Sequence, residues 1–272
     1  MHLTGLFIYP VKGLRGFAVN AAAVDALGLV GDRRFLVVDE TGRFLTQRTL
    51  PRMTLVTTAL DATHLTLSAG GAGIVRVALA SDPAAPLRTV SIWKSEGLQA
   101  EDCGDVAAAF LSSLLATRCR LVRIGEKFRR PVLKPAARPG DVFHFGDGAP
   151  GLVISEASLA DLNDRLVARD EDAVPMDRFR PNLVVTGCAA FAEDTWPRFR
   201  LGTAVFRAAG QSTRCIVTTT DQLTGARGKE PLRTLATYRR DATDPTVVNF
   251  GQNLINETKS GTFRVGDTVE IG

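Results

Sequence analysis

Through the first ninety-odd residues the apolar positions come in runs of four to six, each closed by a turn signal. This half of the chain is therefore expected to form short β-strands. Residues 6–9 read as a strand that Pro10 limits. Residues 35–38 and 43–46 read as a hairpin around Asp39-Glu40-Thr41-Gly42. Residues 55–60, 64–67, 75–79 and 90–93 continue the series, with a glycine-rich loop at 70–73. Such a run suggests a small barrel or sandwich.

The pattern changes near residue 100. Residues 105–116 carry Val106, Phe110, Leu111, Leu114 and Leu115 at helical spacing. A second helix is expected after Ser155, with Leu159, Leu162, Leu166 and Val167 inward and Ser155 as N-cap. Residues 121–124, 142–145, 152–154, 183–185 and 204–208 have strand character, Gly210 reads as a turn, and 262–265 with 268–271 read as a closing hairpin. The expected fold class is mostly β (α+β). An N-terminal β-barrel-like domain, 1–98, would precede a C-terminal β-barrel domain with a few helices, 99–272, the boundary lying between 95 and 105.

At 272 residues and 45% apolar content the chain can bury a real core. Its net charge of +4 comes without a Lys/Arg-rich run, so no nucleic-acid polymer is expected as a partner. No apolar run reaches membrane length and no leader precedes it, which sets the expectation of a cytoplasmic protein without a membrane partner. The cysteines at 103, 119, 188 and 215 form no C-x-x-C pair and read as reduced thiols.

Cys215 is the most informative residue. It follows an apolar strand and Arg214, and Thr218, Thr219 and Thr220 come within five residues. A neighbouring guanidinium favours the thiolate, which is both the nucleophile and the metal ligand. A buried strand thiol is the alternative. A Cys-His hydrolase needs a base, but the histidines are His2, His64 and His144, and His144 reads as pointing outward from a strand. No zinc-type cluster is present. A single soft thiolate suits a soft metal that brings most of its own ligands, as a metal held by an organic cofactor does.

Anion sites are the second line. If the loop of the first hairpin is Asp39 to Gly42, Arg33 faces Arg48, and opposed cations call for an anion between them. A local network with Asp32 is the alternative. In Asp177-Arg178-Phe179-Arg180-Pro181-Asn182, Arg178 and Arg180 share a side if extended and, with Asn182, suit a phosphate or polar heterocycle. Salt bridging to Asp170-Glu171-Asp172 is the alternative. The amides at the Ser155 helix start are a third candidate, although most helix starts bind nothing. Lys12 after Tyr9-Pro10-Val11 is a fourth, with plain solvent exposure as the alternative.

These segments together resemble the MOSC family, named for the C-terminal domain of molybdenum-cofactor sulfurase. The closer likeness is to members with an N-terminal β-barrel domain, such as the mitochondrial amidoxime-reducing component and its bacterial relatives. The likeness rests on Tyr9-Pro-Val-Lys12, Asp32-Arg33, Thr46-Gln-Arg48, Asp102-Cys-Gly104, Ser155-Glu-Ala-Ser-Leu-Ala-Asp-Leu-Asn163, Phe179-Arg-Pro-Asn182, Arg214-Cys215 through Gly225, and Phe250-Gly-Gln-Asn253. The resemblance implies two mostly-β lobes with a molybdenum cofactor (Mo-molybdopterin) between them and Cys215 as protein ligand. It implies that Lys12, Arg33, Arg48, Ser155, Ser158, Arg180, Asn182, Arg214 and Thr218 hold the cofactor, with Asp221 orienting substrate or relaying a proton. Gly13 departs from relatives that carry a hydroxyl there. The expected activity is reduction of small N-hydroxylated substrates. Without a dinucleotide fingerprint or iron–sulfur cysteines, electrons are expected from a separate flavin, haem or iron–sulfur protein. A non-catalytic cofactor carrier or sulfur-relay protein is the second expectation, and a thiol enzyme using Cys215 the third.

Overall fold

The strand His2–Ile8 buries Leu3, Leu6 and Ile8, a spacing that strict alternation cannot give. The register against Leu183–Thr186 shifts between Leu3 and Gly5, and this irregularity turns all three onto one face. In the computed structural model, which describes residues 1–272, this first strand lies inside the large sheet of the C-terminal lobe. That sheet has eight strands in the order Val269–Ile271, Arg198–Leu201, Ala204–Arg214, Val248–Asn256, Gly151–Ser155, Leu183–Thr186, His2–Ile8, Phe17–Ala18. Its core joins Leu3, Leu6 and Ile8 to Phe199, Phe206 and Phe263.

The N-terminal lobe holds a four-stranded sheet in the order Phe35–Val38, Arg120–Arg123, Ser95–Asp102, Leu87–Ile92. It also holds a three-stranded sheet, Thr57–Leu60, His64–Ser68, Ile74–Ala78. The helix Asp105–Leu115 joins them, placing Ala107, Leu111 and Leu115 in one core with Leu65, Leu67 and Val77. The mostly-β, two-lobed class expected from the sequence is the one found, with only three α-helices.

The expected boundary at 98/99 lies in the four-stranded sheet. That point falls within the strand Ser95–Asp102, hydrogen-bonded on both sides. The two ends of the chain are also exchanged: residues 2–8 pair in the C-terminal sheet, and Ala21–Asp25 pairs with Thr262–Arg264. Sequence order cannot show such pairing, because the partners are more than 170 residues apart. For the same reason the tail is no hairpin. Thr262–Arg264 pairs with Ala21–Asp25, and Val269–Ile271 with Arg198–Leu201. Val106 is 72% exposed and Val167 62% exposed, so alanine (Ala107, Ala108) and serine (Ser158) take buried positions those residues were expected to fill.

Residues 142–145 form no strand beyond a bridge from Val142 to Pro131. His144 is buried rather than outward: its Nε2 lies 3.1 Å from Asp32 Oδ2, and its Nδ1 accepts from the Gly146 amide at 2.9 Å. Gly210 is no turn. With φ +89 it forms a bulge inside the long strand Ala204–Arg214, whose register against Val248–Asn256 shifts between Ala208 and Gln211. The strand thereby runs on to Arg214 and delivers Cys215 at its end.

Candidate functional site

A cleft of about 1050 Å³, part of it open to solvent, lies where the lobes meet. Lys12, Arg33, Arg48 and Trp93 come to it from the first hundred residues, the loop around Asp147 forms one side, and Phe179–Asn182 and Ser212–Thr218 close it from the C-terminal lobe. Five cations, Lys12, Arg33, Arg48, Arg180 and Arg214, line it against one carboxylate, Asp147. Its only sulfur is Cys215, and no histidine reaches it.

Cys215 opens a tight turn over Ile216–Thr219. The Thr218 amide and hydroxyl both donate to its carbonyl at 3.0 Å, which fixes the backbone beneath the half-buried free thiol. Arg214 donates from Nη2 to Phe179 O at 2.7 Å and from Nη1 to Ser212 Oγ at 2.9 Å. Its Nε is buried without a partner. Burial pushes this guanidinium down to about 10, opposed by the Cys215 sulfur.

Arg33 and Arg180 are both held in left-handed backbone, φ +44 and +55. Positive φ is uncommon outside glycine and gathers at functional sites. Arg33 bonds Asp32 Oδ2 at 2.5 Å and Asn182 Oδ1 at 3.0 Å, and Asn182 in turn donates to Phe7 O at 3.1 Å. Asn182 thus aims Arg33 as well as lining the cleft. Arg180 donates to Leu14 O at 2.8 Å, and burial lowers it to about 10. Both guanidiniums lie 4.4 Å from the ring centre of Tyr9. On the far side Lys12 and Trp93 Nε1 share Asp147 Oδ1, the latter at 2.7 Å, and burial lowers the Lys12 amine. Arg48 rests 4.3 Å from the ring centre of Trp93.

Several expected groupings are not formed. Arg48 does not face Arg33 on a ladder: Val38 bridges Phe44, and the chain turns away at Thr46, so the two arginines meet the cleft from separate places. Asp32, one of the two readings at that point, is the partner Arg33 takes. Arg178 and Arg180 do not fork together. Residues 176–178 form a short 3-10 turn, after which Arg178 pairs with Asp221 and Arg180 enters the cleft.

Ser155 and Ser158 stand outside the cleft and are fully buried. Ser155 caps the helix Glu156–Val167 by accepting from Ser158 N at 3.0 Å. The anion there is the protein's own Glu193: its Oε1 accepts from Ser155 N at 3.0 Å and Ser158 Oγ at 2.7 Å. Asp221 is likewise off the cleft. Its Oδ1 accepts from the Leu223 and Thr224 amides and the Thr224 hydroxyl, and its Oδ2 holds Arg178.

Tyr9, Trp93 and Asp147 were not picked out from the sequence. Tyr9 reads as the last residue of a strand and Trp93 as the end of another, while Asp147 lies between two strand-like runs and carries no motif. The adjacency of Tyr9-Pro10 to Lys12 was the one available signal.

Whether these residues suit a pterin-borne metal is a question of donors. No group of three or more His, Cys, Asp and Glu able to hold a metal exists in the chain, so a metal at Cys215 must bring its remaining ligands. Five cations and an unpartnered Arg214 Nε suit an anionic, heteroatom-rich carrier of that metal. The residues present fit the group.

A family model described as the MOSC N-terminal beta barrel domain matches residues 1–118, and one described as the MOSC domain matches residues 140–270. Mitochondrial amidoxime-reducing component 1 of Mus musculus is 38% identical over 281 residues, covering 98% of this chain and 81% of the relative. The Homo sapiens component 1 is 37% identical over 287 residues, with the same coverage of each. Component 2 of Bos taurus is 36% identical over 278 residues, covering 97% of this chain and 81% of the relative.

Proposed function

The chain belongs to the MOSC family, with the N-terminal barrel domain ahead of the MOSC domain, and we propose that it is a molybdenum-cofactor-dependent oxidoreductase that reduces N-hydroxylated compounds. The observation that carries the proposal is the single thiol of Cys215 facing a cleft with five cations and one carboxylate. Relatives that span nearly the whole chain are named for reducing amidoximes, which supports the substrate class.

Cys215 would be the protein ligand of the metal, and Arg33, Arg180 and Arg214 would hold the anionic pterin and phosphate, aimed by Asn182, Tyr9 and the Phe179 carbonyl. When bound, the cofactor supplies two-electron removal of oxygen from an N–OH group. Lys12 and Arg48 would complete the electropositive wall, which lowers the cost of bringing anionic groups together in a partly desolvated space, and Thr218 would hold the cofactor's edge beside the Cys215 backbone it fixes. Asp147 Oδ1 accepts from both the Lys12 amine and the Trp93 indole and so holds them side by side on one wall of the cleft. Electrons from a separate flavin, haem or iron–sulfur protein complete the proposal, together with residence in the cytoplasm; no helix is long and apolar enough to cross a membrane. The thiol-enzyme reading loses its base, because His144 is sealed against Asp32 away from the cleft.

Metal analysis with pterin fluorescence, on the native protein and on Cys215→Ala, tests this directly. The variant should fold and lose its metal, and the native protein with reductant should reduce 6-hydroxylaminopurine. A variant that keeps its full metal content overturns the ligand assignment. A metal-loaded protein inert toward hydroxylamines overturns the reductase and leaves a carrier.

A further inference from the structure

Beside the cleft is a second pocket of about 540 Å³, part of it open to solvent, which shares Trp93, Asp147 and Gly148 with the first. Its remaining wall holds Lys94, Arg130 and Lys134 with the apolar faces of Phe143 and Leu133. Arg130 is buried, its guanidinium 4.1 Å from the Phe143 ring centre. It donates from Nη1 to His144 O and Gly146 O and from Nε to Ser95 Oγ, and its Nη2 has no protein partner. Lys134 is half-buried, its amine has no hydrogen-bond or ion-pair partner in the protein, and burial lowers that amine. Its stem crosses Gly148, where a Cβ would come within 3.2 Å of Lys134 Cε, so the missing side chain makes room for the lysine.

The one carboxylate of this pocket, Asp147, is already engaged by Lys12 and Trp93. Three cations therefore face the space without a counter-charge of their own. A half-buried, unpaired ammonium is disfavoured unless an anion meets it.

We propose that the pocket walled by Arg130, Lys134 and Phe143 is a second anion subsite, taking a phosphate or carboxylate group carried by the substrate whose reacting end lies in the Cys215 cleft. The substrate part rests on the reductase reading above; the anion subsite does not. Phe143 and Leu133 supply an apolar floor for the body that carries the anion, and Trp93 forms the partition such a molecule would lie along.

The test is calorimetric titration of the cofactor-loaded protein with an N-hydroxylated nucleoside and with its 5′-monophosphate, alongside turnover of each. The monophosphate should bind at least tenfold more tightly than the nucleoside. Lys134→Gln should remove that advantage and leave nucleoside binding within twofold, and Lys134→Arg should retain it. Equal binding of the two ligands, or an advantage untouched by Lys134→Gln, overturns the subsite. Lys134-dependent binding of the monophosphate without reduction of either compound upholds the subsite and overturns the reductase.

Discussion

Arg33 donates from Nη2 to the backbone oxygen of Arg180 at 3.2 Å, and both guanidiniums rest 4.4 Å from the ring centre of Tyr9. Two like charges are thus held together in a buried place. Asp32 offsets one of them, the aromatic face of Tyr9 favours both, and carbonyl acceptors fix their directions. The left-handed backbone at each residue adds strain of order 1–3 kcal/mol, which the surroundings must over-determine. An arrangement of this kind is prepared for an anion before the anion arrives.

Tyr9 is therefore expected to separate fold from binding. Its hydroxyl donates to Pro181 O at 3.1 Å, and burial pushes the phenol up to about 12. Tyr9→Phe loses that hydrogen bond, at about 1 kcal/mol, and should keep its cofactor content. Tyr9→Leu also loses the ring beneath two cations, for a total of roughly 2–3 kcal/mol, and should hold several-fold less pterin and metal. Urea unfolding and metal analysis read the two effects; equal metal content in both variants would remove the ring from the binding argument.

His144 sets a pH dependence of stability. Its Nδ1 accepts from the Gly146 amide, so the ring is neutral with its proton on Nε2, toward Asp32 and Pro150 O. Burial is the main cause that holds its pKa below 6.5, reinforced by Arg33 and Arg34 and opposed by Asp32. A histidine depressed in the folded state contributes no pH dependence above the unfolded value. Below it the unfolded chain takes up the proton first. Stability should therefore fall as pH drops from about 6.5 toward the depressed value, by up to about 1.4 kcal/mol per pH unit. Melting curves of the native protein and His144→Gln between pH 7.5 and 5 check this, and parallel profiles would exclude His144 as the source.

Much of the fold class was legible because short apolar runs and turn signals are local properties. Of the cleft, the charged motifs and the family resemblance named Lys12, Arg33, Arg48, Arg180, Asn182, Arg214, Cys215 and Thr218, all of which line it. Pairing across the ends of the chain was not legible, since nothing local to His2–Ile8 names Leu183–Thr186 as its partner. Nor was the fate of Ser155. A helix start looks the same in sequence whether its amides meet a ligand or a buried carboxylate from Glu193, 38 residues on. Trp93 and Asp147 matter through each other, and a hydrogen bond between residues 54 apart leaves no mark on either segment.

Ser158 gives the corresponding stability prediction. Its hydroxyl accepts from Phe191 N at 2.7 Å and donates to Glu193 Oε1 at 2.7 Å. Ser158→Ala leaves both groups short of a partner in a sealed place, which costs about 1–3 kcal/mol. Metal and pterin per folded molecule should not change, because the side chain does not reach the cleft. A variant of native stability that has lost its cofactor would return the Ser155 helix to the binding site.

Asp221 sits six residues from the thiol, and its neighbourhood argues against proton transfer. The Thr224 amide first, then the Thr224 hydroxyl, the Leu223 amide and Arg178, hold its carboxyl below the usual range, so at neutral pH it has no proton to give. Its Oδ1 is taken by three donors of its own loop, and its Oδ2 by Arg178 at 3.0 Å. Asp221→Asn keeps an oxygen for the loop and loses the charge facing Arg178. That ion pair is partly exposed, so stability should change by no more than about 1 kcal/mol. With metal content equal to the native protein, kcat should stay within twofold and its pH profile should not move. A tenfold loss of kcat at full metal loading, with the acid limb of the profile displaced, would make this carboxylate part of the reaction.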